Sequence, residues 1–585
     1  MHYRITWREG QALVQLACTN YRVGAIGYTQ RTPMYLCAPL VLAVASQTTS
    51  TPIAEGKNGV IVGTSSPHAI AAGLGVLKKG GTAADAAVAT SLAQIVECGG
   101  SYVSYAGIFA MMYYDAKSGR VYSLDAAYNT PKDEIDPDSI PGNGTPSGRT
   151  ALVPGYVAGA EAASKRFGKL PRKEVFQPAI DMADKGMEVS TLLSNFLKSK
   201  EQVLSRLPEA KRIFLKPDGS FYKQGETFRQ PELAATLTQI SKQGASYMYT
   251  GPWAKHFVAI VQREGGKISM ADMKAYQPIW EQPMMADFRG TQVYLPGASS
   301  NGGLTMLEAL RLLKLADLRK TGHFVSSPQS LYWLMQISHC QILGFLGQGT
   351  LKGLGGLDLT AASRAKPETT RALWQKMQDG DWPFLSKPPI NSGRIEAHSD
   401  GIVVVDQWGN VAAITHSANA IIWGSTGIFV DGVSIPDSAS FQQTAVKNAG
   451  PGKRLPDPMI PLIVMKGGKP LLASSTIGGG LHQRTLQILC STLDFGMDPQ
   501  TAAEQPAFLL PAFGTAITAQ VEKGQFDPKV LSGLSALGQK VNEVDAVTAS
   551  GARGYWVGAM IDPKTGSRLG FGTRKAPLPA IGLAY

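Results

Sequence analysis

The chain has 585 residues, 44% of them hydrophobic and 17% charged, with a formal net charge of +12. That length and balance are ordinary for a globular protein that buries at least one large core, and length alone suggests two or more domains. No Lys/Arg run is dense enough for a nucleic-acid stripe, so the positive excess reads as a soluble basic surface.

The first 45 residues differ from the rest. Arg22 and Arg31 precede an apolar run from Met34 to Ala45, and Ala43-Val44-Ala45 before Ser46 is a small-residue cleavage pattern. The run is too short to span a membrane. It reads as a secretory signal, which predicts a secreted or periplasmic protein; a buried strand is the bland alternative. Cys37 lacks the neighbours of a lipid-anchored cysteine. Cys18 and Cys37 would leave with the leader. The remaining Cys98, Cys340 and Cys490 are odd in number and widely spaced, so neither a disulfide framework nor a metal site is expected, and no cofactor either.

Gln47 to Glu55 reads as a linker. Val60–Thr64 is a predicted strand, followed by a helix from Pro67 to Lys79 that Gly80-Gly81 ends. Thr82 then caps a second helix, with Asp85 three residues on completing a capping box and Val88, Leu92, Ile95 and Val96 as its apolar stripe. Ile108–Tyr114 and Val121–Leu124 are strand-like, and residues 143–148 form a loop. Glu174–Gly186, Glu232–Gln243 and Ala254–Glu264 are predicted helices. Gly290–Tyr294 is a strand leading into a loop at 296–303 and a helix over Leu304–Leu313. Residues 318–398 carry helix-like patches and many Gly and Pro residues, the most linker-like part of the chain.

Beyond that stretch strands return. Ile402–Val405 is a β-branched run suited to a buried strand, Asp406–Asn410 a tight turn, and Val411–Thr415 its hairpin partner. The strand begins at a serine, Ser399. A hydroxyl at the mouth of a buried hairpin usually means nothing; what singles this one out comes later in the chain. Leu462–Met465 and Pro470–Ser474 flank a turn at 466–469. Ile477-Gly478-Gly479-Gly480 then opens a helix through Leu486, Leu489 and Leu493.

The order of motifs resembles the gamma-glutamyltransferase (gamma-glutamyltranspeptidase) family of N-terminal nucleophile hydrolases over nearly all of residues 58–585. The resemblance is carried by 71–89 (Ala71 to Ala89, through Gly80-Gly81-Thr82-Ala83-Ala84-Asp85) and by 265–276 (Gly265-Gly266-Lys267-Ile268-Ser269 to Tyr276). Phe288-Arg289-Gly290, Ser299-Ser300-Asn301-Gly302-Gly303, Pro451-Gly452-Lys453-Arg454, Gly478-Gly479 and Gly582-Leu583-Ala584-Tyr585 complete it. It implies an α+β fold, a four-layer αββα sandwich built jointly by two subunits of one self-cleaving precursor. The family's nucleophile is the new N-terminal residue of the small subunit, usually threonine. Counting back from Asp406-Gln407-Trp408-Gly409-Asn410 lands on Ser399, so the implied cut is His398–Ser399, with residues 46–398 as large subunit and 399–585 as small.

Serine suits that chemistry. An α-amino group has a reference pKa of about 7.7–8.0, so the freed amine of Ser399 can be the base that its own hydroxyl needs. By the resemblance, the N–H groups of Gly478 and Gly479 are oxyanion donors, Ser417 bonds the nucleophile, and Asn419 lies near a substrate amino group. The bland alternatives are a helix start that binds an adventitious anion or nothing, a strand-end hydroxyl and a turn residue.

The departures concern substrate. The family's carboxylate-gripping arginine falls on Ala127, its serine pair on Asp457-Pro458, and its amine-binding Gln and Asp near Val433 and Pro436. Its glycine-rich run after the second helix has become 104–109. Arg149, Arg454 or Arg484 is left to substitute, and Arg454 is placed in the substrate site. The expected function is a self-processing amidohydrolase or acyltransferase acting on a small amide or peptide. A gamma-glutamyl amide such as glutathione is the nominal substrate. The alternatives are a cephalosporin-acylase-like enzyme of other side-chain specificity and an uncleaved, inactive relative with a binding role.

Overall fold

The structure, a computed structural model, describes residues 6–8, 11–13, 51–380, 399–510, 519–575 and 577–585. The predicted signal at 34–45, Cys18, Cys37 and His398 lie outside the described residues. The chain forms two units. In the first, Thr6–Arg8 pairs antiparallel with Gln11–Leu13. The second unit spans Thr49–Tyr585.

The strands of its two seven-stranded sheets, in chain order, are β1 (Ala54–Gly56), β2 (Val60–Gly63), β3 (Ile108–Asp115), β4 (Arg120–Ala126), β5 (Ile279–Glu281), β6 (Met284–Phe288) and β7 (Thr291–Leu295). Then come β8 (Asp400–Val405), β9 (Val411–Ser417), β10 (Leu462–Lys466), β11 (Lys469–Ile477), β12 (Tyr555–Ile561), β13 (Arg568–Gly572) and β14 (Ile581–Ala584). One sheet runs β14–β2–β8–β9–β3–β4–β5 and the other β6–β7–β10–β11–β12–β13–β1, every pairing antiparallel. Both sheets combine strands from before and after Ser399, so neither part of the chain holds a complete sheet.

The burial pattern makes the layers. Along β8 and β9 every side chain is buried, so the strands carry apolar residues on both faces. Val403, Val405, Val411 and Ala413 meet Ile463, Met465, Ala473, Val557 and Ala559 of the facing sheet. Ile402, Val404, Ala412 and Ile414 look the other way, towards α1 (Pro67–Lys78) and α2 (Ala83–Glu97). Helices led by α3 (Asn301–Ala316) and α4 (Leu481–Leu489) cover the outer face of the second sheet through Leu462, Val464 and Leu472. The result is the αββα sandwich expected from the resemblance.

Thr82 and Asp85 form the expected reciprocal capping box. Val88, Leu92, Ile95 and Val96 are at most 1% exposed, each worth about 1.5–3 kcal/mol of burial. Three expectations need correction. Residues 318–380 are no linker: Pro328–His339 and Pro367–Gln378 are helices whose Leu331, Leu334, Leu373 and Met377 enter the second core. There Arg364 and Glu308, both at most 2% exposed, form a 2.8 Å ion pair. Proline opens both helices, and the glycine-rich turns between them gave the stretch its linker-like composition. The linker at 47–55 is likewise shortened, since Ala54–Gly56 is the edge strand β1. The α3 helix begins at Asn301 rather than Leu304, because the Ser300 hydroxyl caps it from Gly303 N–H.

Candidate active site

Ser399 immediately precedes β8, and the register of the hairpin decides where it looks. Asp400 is paired with His416 and Gly401 with Thr415, which sets Ser399 beside Ser417 at the open end. Because side chains alternate, Ser399, Gly401 and Val403 face the other sheet, whereas Asp400 and Ile402 face the helices.

Across the interlayer, Thr415 Oγ1 and Ser475 Oγ are 2.7 Å apart. A Cβ on Gly401 would lie 2.6 Å from Ser475 Oγ, so only glycine lets the two sheets approach so closely there. The same Cβ would lie 3.4 Å from Ile477 Cγ2, and Ile477 is the last residue of β11 before Gly478. The serine and the glycine turn therefore leave their sheets at the same end of the sandwich.

The serine is oriented. Its Oγ donates to Ser417 Oγ at 2.8 Å, and that oxygen also accepts from Asn419 N–H at 2.7 Å. Asn419 sits at φ 47°, with its Nδ2 donating to Gln442 Oε1. Gly478 has φ +86°, and a Cβ there would come 2.7 Å from the Arg553 carbonyl oxygen, so the turn between β11 and α4 requires glycine. Among the described residues, neither Gly478 nor Gly479 donates its N–H to another group. Two such N–H groups at a helix start suit a developing negative charge.

A serine with a histidine and an aspartate nearby invites a triad reading, and the geometry excludes it here. Asp400 and His416 lie on the helix-facing side, opposite to Ser399. His416 Nε2 bonds Gln94 Oε1 at 2.8 Å, and burial pushes its pKa down to about 3. Asp400 Oδ1 accepts from Ser65 Oγ at 2.6 Å and Thr64 Oγ1 at 3.0 Å, tying β8 to the start of α1. Among the described residues no histidine bonds Ser399.

Burial raises the Asp400 carboxyl to about 7 against the lowering by its two hydroxyl donors. A carboxyl raised in the fold contributes stability that is complete below its unfolded pKa, about 3.9. That contribution is lost as pH rises through 7. Asp400→Asn should therefore match the wild type in thermal melts at pH 4 and exceed it by several degrees at pH 8. Parallel melting curves across that range would contradict the assignment.

The sequence-predicted arginines are occupied. Arg454 Nη1 donates to Asp125 Oδ1 at 3.1 Å, Nε to Asn129 Oδ1 at 2.9 Å and Nη2 to the Gln277 carbonyl at 2.6 Å. Arg149 is taken by Glu134 and Ser139. Arg484 is buried against the Ala503 and Gln505 carbonyls, which pushes it down to about 10. Ala127 is 1% exposed, its carbonyl accepting from the Tyr276 hydroxyl and its N–H donating to Asp125 Oδ1, so its side chain brings no charge to the site. Val433 is buried in a two-residue hairpin strand, and Pro436 lines a small pocket with Ala418, Trp423 and Gly424.

Sequence reasoning missed Asp125, Asp400 and Asp437. Asp437 is buried behind that pocket and accepts from Ser425 N–H at 2.8 Å. The partners of Asp125 and Asp400 lie more than 300 residues away, at Arg454 and at Thr64 and Ser65, so no local signal marks them. Among the described residues there is no cluster of His, Cys, Asp and Glu able to hold a metal. None of their helices is long and apolar enough to cross a membrane.

Comparison with known proteins agrees with this geometry. The family described as Gamma-glutamyltranspeptidase matches residues 69–564. A glutathione hydrolase proenzyme of Escherichia coli (strain K12) is 28% identical, covering 83% of this chain and 86% of its own. The acylase ACY 1 proenzyme of Pseudomonas sp. (strain SE83) is 26% identical over 83% of this chain and 90% of its own. Among solved structures, a cephalosporin acylase from Bacillus halodurans shares the fold with a TM-score of 0.75 at 22% identity, covering 95% of this chain and 99% of its own.

Proposed function

Because the chain belongs to the gamma-glutamyltranspeptidase family, and is thus an enzyme, we propose that Ser399 is its nucleophile in both self-cleavage and amide turnover. The observation that carries this reading is the Ser399 hydroxyl, held by Ser417 two residues before the Gly401 that packs against Ile477, the residue preceding Gly478. In the precursor, Ser399 Oγ attacks the His398 carbonyl carbon, the C–N bond breaks, and the acyl group moves to oxygen as an ester. Water opens the ester, leaving a carboxylate on His398 and an α-amine on Ser399. In turnover that amine takes the hydroxyl proton as Oγ attacks the substrate amide, and returns it to the leaving amine. Gly478 and Gly479 N–H stabilise the oxyanion, each donor being worth about 3–4 kcal/mol. Water, or a second amine, then releases the acyl group.

The relatives' names support the substrate class: an acyl amide, of gamma-glutamyl type in the glutathione hydrolases and of another side chain in the acylases. Within that class, Ala127 and the prior engagement of Arg149, Arg454 and Arg484 favour the acylase reading, since each of these three guanidiniums already has partners other than a glutamyl carboxylate. The precursor would act as two subunits, 46–398 and 399–585. The apolar segment at 34–45 supports export. Denaturing electrophoresis should show two fragments, and N-terminal sequencing of the smaller should begin Ser-Asp-Gly-Ile-Val. An intact chain, or a cut elsewhere, contradicts the reading.

Ser417→Ala removes the acceptor that orients Ser399. Processing and turnover should both slow by about 10- to 100-fold, the usual cost of a misplaced reacting group. Fragment appearance and p-nitroaniline release measure the two separately. An unchanged rate in both would assign Ser417 to structure alone.

A further inference from the structure

One feature of the interlayer is unexplained by this chemistry. Asp125 lies on β4 opposite Ala110, which lies opposite Thr415, so Asp125 looks into the interlayer two strands from the nucleophile's hairpin. Asp457 sits where the starts of two helices meet. Its carbonyl accepts from Gly302 N–H of α3 at 3.0 Å, and the next carbonyl, of Pro458, is 2.8 Å from His482 Nε2 in the first turn of α4. That turn follows Gly478–Gly480 directly, so Asp457 adjoins the proposed oxyanion site.

Both carboxylates are half satisfied. Asp457 Oδ1 accepts from Met459 N–H at 2.7 Å, and Asp125 Oδ1 from Ala127 N–H and Arg454. Among the described residues, Oδ2 of each has no hydrogen-bond partner, although the two residues are only 3% and 2% exposed. Glu281, on the neighbouring strand opposite Ser123, adds a third acid, its carboxyl held by Ser299. One guanidinium, Arg454, faces this group, and Asp125 already takes it. A buried carboxylate oxygen without a donor is costly. Burial and the neighbouring Asp125 charge raise the Asp457 pKa, and an ammonium seated between the two would bring it back down and hold both carboxylates ionised.

Resting on the acyl-enzyme reading above, we propose that the acyl group of the substrate enters with an ammonium, not a carboxylate, which docks on Asp125 Oδ2 and Asp457 Oδ2. The substrate class is then an amino-acyl amide lacking the glutamyl α-carboxylate. An ammonium supplies the missing donors to both oxygens and offsets the surplus negative charge. A carboxylate in the same place would meet two acids and an arginine whose donors are already engaged.

Three p-nitroanilides separate the possibilities on the processed enzyme: 4-aminobutyryl (amine only), glutaryl (carboxylate only) and gamma-glutamyl (both). The 4-aminobutyryl anilide should show a kcat/KM at least about tenfold above the glutaryl one, the scale of one charge-assisted hydrogen bond. Asp457→Asn should bring the two within about twofold of each other. Free 4-aminobutyrate should compete at least about tenfold better than glutarate against the wild type, a comparison that needs no variant. A glutaryl preference would overturn the inference. So would an unchanged ratio in Asp457→Asn, which would mean that the two carboxyls merely share a proton. A chain that stays uncut and turns over none of the three would instead remove the acyl-enzyme reading, and this inference with it.

Discussion

Replacing Ser399 with alanine leaves one full-length chain on a denaturing gel and lowers amide turnover by a factor on the order of 10⁴ or more. Both effects follow from a single missing oxygen. Without Oγ there is no atom to attack the preceding carbonyl, so no α-amine is released. Without Oγ and that amine, turnover loses both nucleophile and base. The loss cannot come from unfolding: the Ser399 hydroxyl makes its hydrogen bond to Ser417, and one such bond is worth about 0.5–1.5 kcal/mol. The variant should therefore melt within a few degrees of the uncut wild-type precursor. Ser399→Thr keeps hydroxyl and amine together, and should restore cleavage where alanine abolishes it. A processed, active Ser399→Ala protein would remove the nucleophile from this position altogether.

Residue order carried much of this picture, and the limits of that reading have physical causes. The capping box of Thr82 and Asp85 is local, three residues apart, and forms as written. The hairpin around Asp406–Asn410 is local as well, and its register carries Ser399 to Ser417 once the strands are extended by one or two residues. Which face Ser399 occupies was not legible. Strands buried on both faces have no polar side to mark outward, so Asp400 and Ser399 read alike although they point into different layers. The helices after Leu318 read only as helix-like patches, because the many Gly and Pro residues around them made the stretch resemble a linker. Arg454 was recognised as a cation near the substrate site, but its partner Asp125 lies 329 residues earlier in the chain. Only the folded sheet shows that the guanidinium is already engaged.

Asp406→Ala should lower folding stability by about 3–5 kcal/mol, the range for breaking a buried polar network. Asp406 is fully buried at the turn between β8 and β9. Its Oδ1 accepts from Trp408 N–H at 2.9 Å and Asn410 N–H at 3.0 Å. Its Oδ2 accepts from Asn410 Nδ2 at 2.8 Å and from Ala83 N–H, the first residue of α2, at 2.9 Å. Two opposing terms meet here. Burial raises the carboxyl's pKa, so ionising it costs stability, while four donors hold the ionised form. Alanine relieves the first term but strands all four donors, and unsatisfied buried donors cost about 1–3 kcal/mol each before relaxation. The donors should win. Asparagine tests the same balance differently: it keeps the two Oδ1 bonds but turns an amide donor towards Ala83 N–H and Asn410 Nδ2. Asp406→Asn should then fall between wild type and Asp406→Ala in chemical denaturation, despite its matching shape. The contact reaches from the start of α2 to a turn 323 residues later, across the His398–Ser399 bond. After scission it would be one of the ties holding the two fragments together, so dissociation of the processed pair should accelerate in parallel with the loss of stability. If Asp406→Ala unfolds within about 0.5 kcal/mol of wild type, the scale of an ordinary surface change, the turn is not the clamp that these four bonds describe.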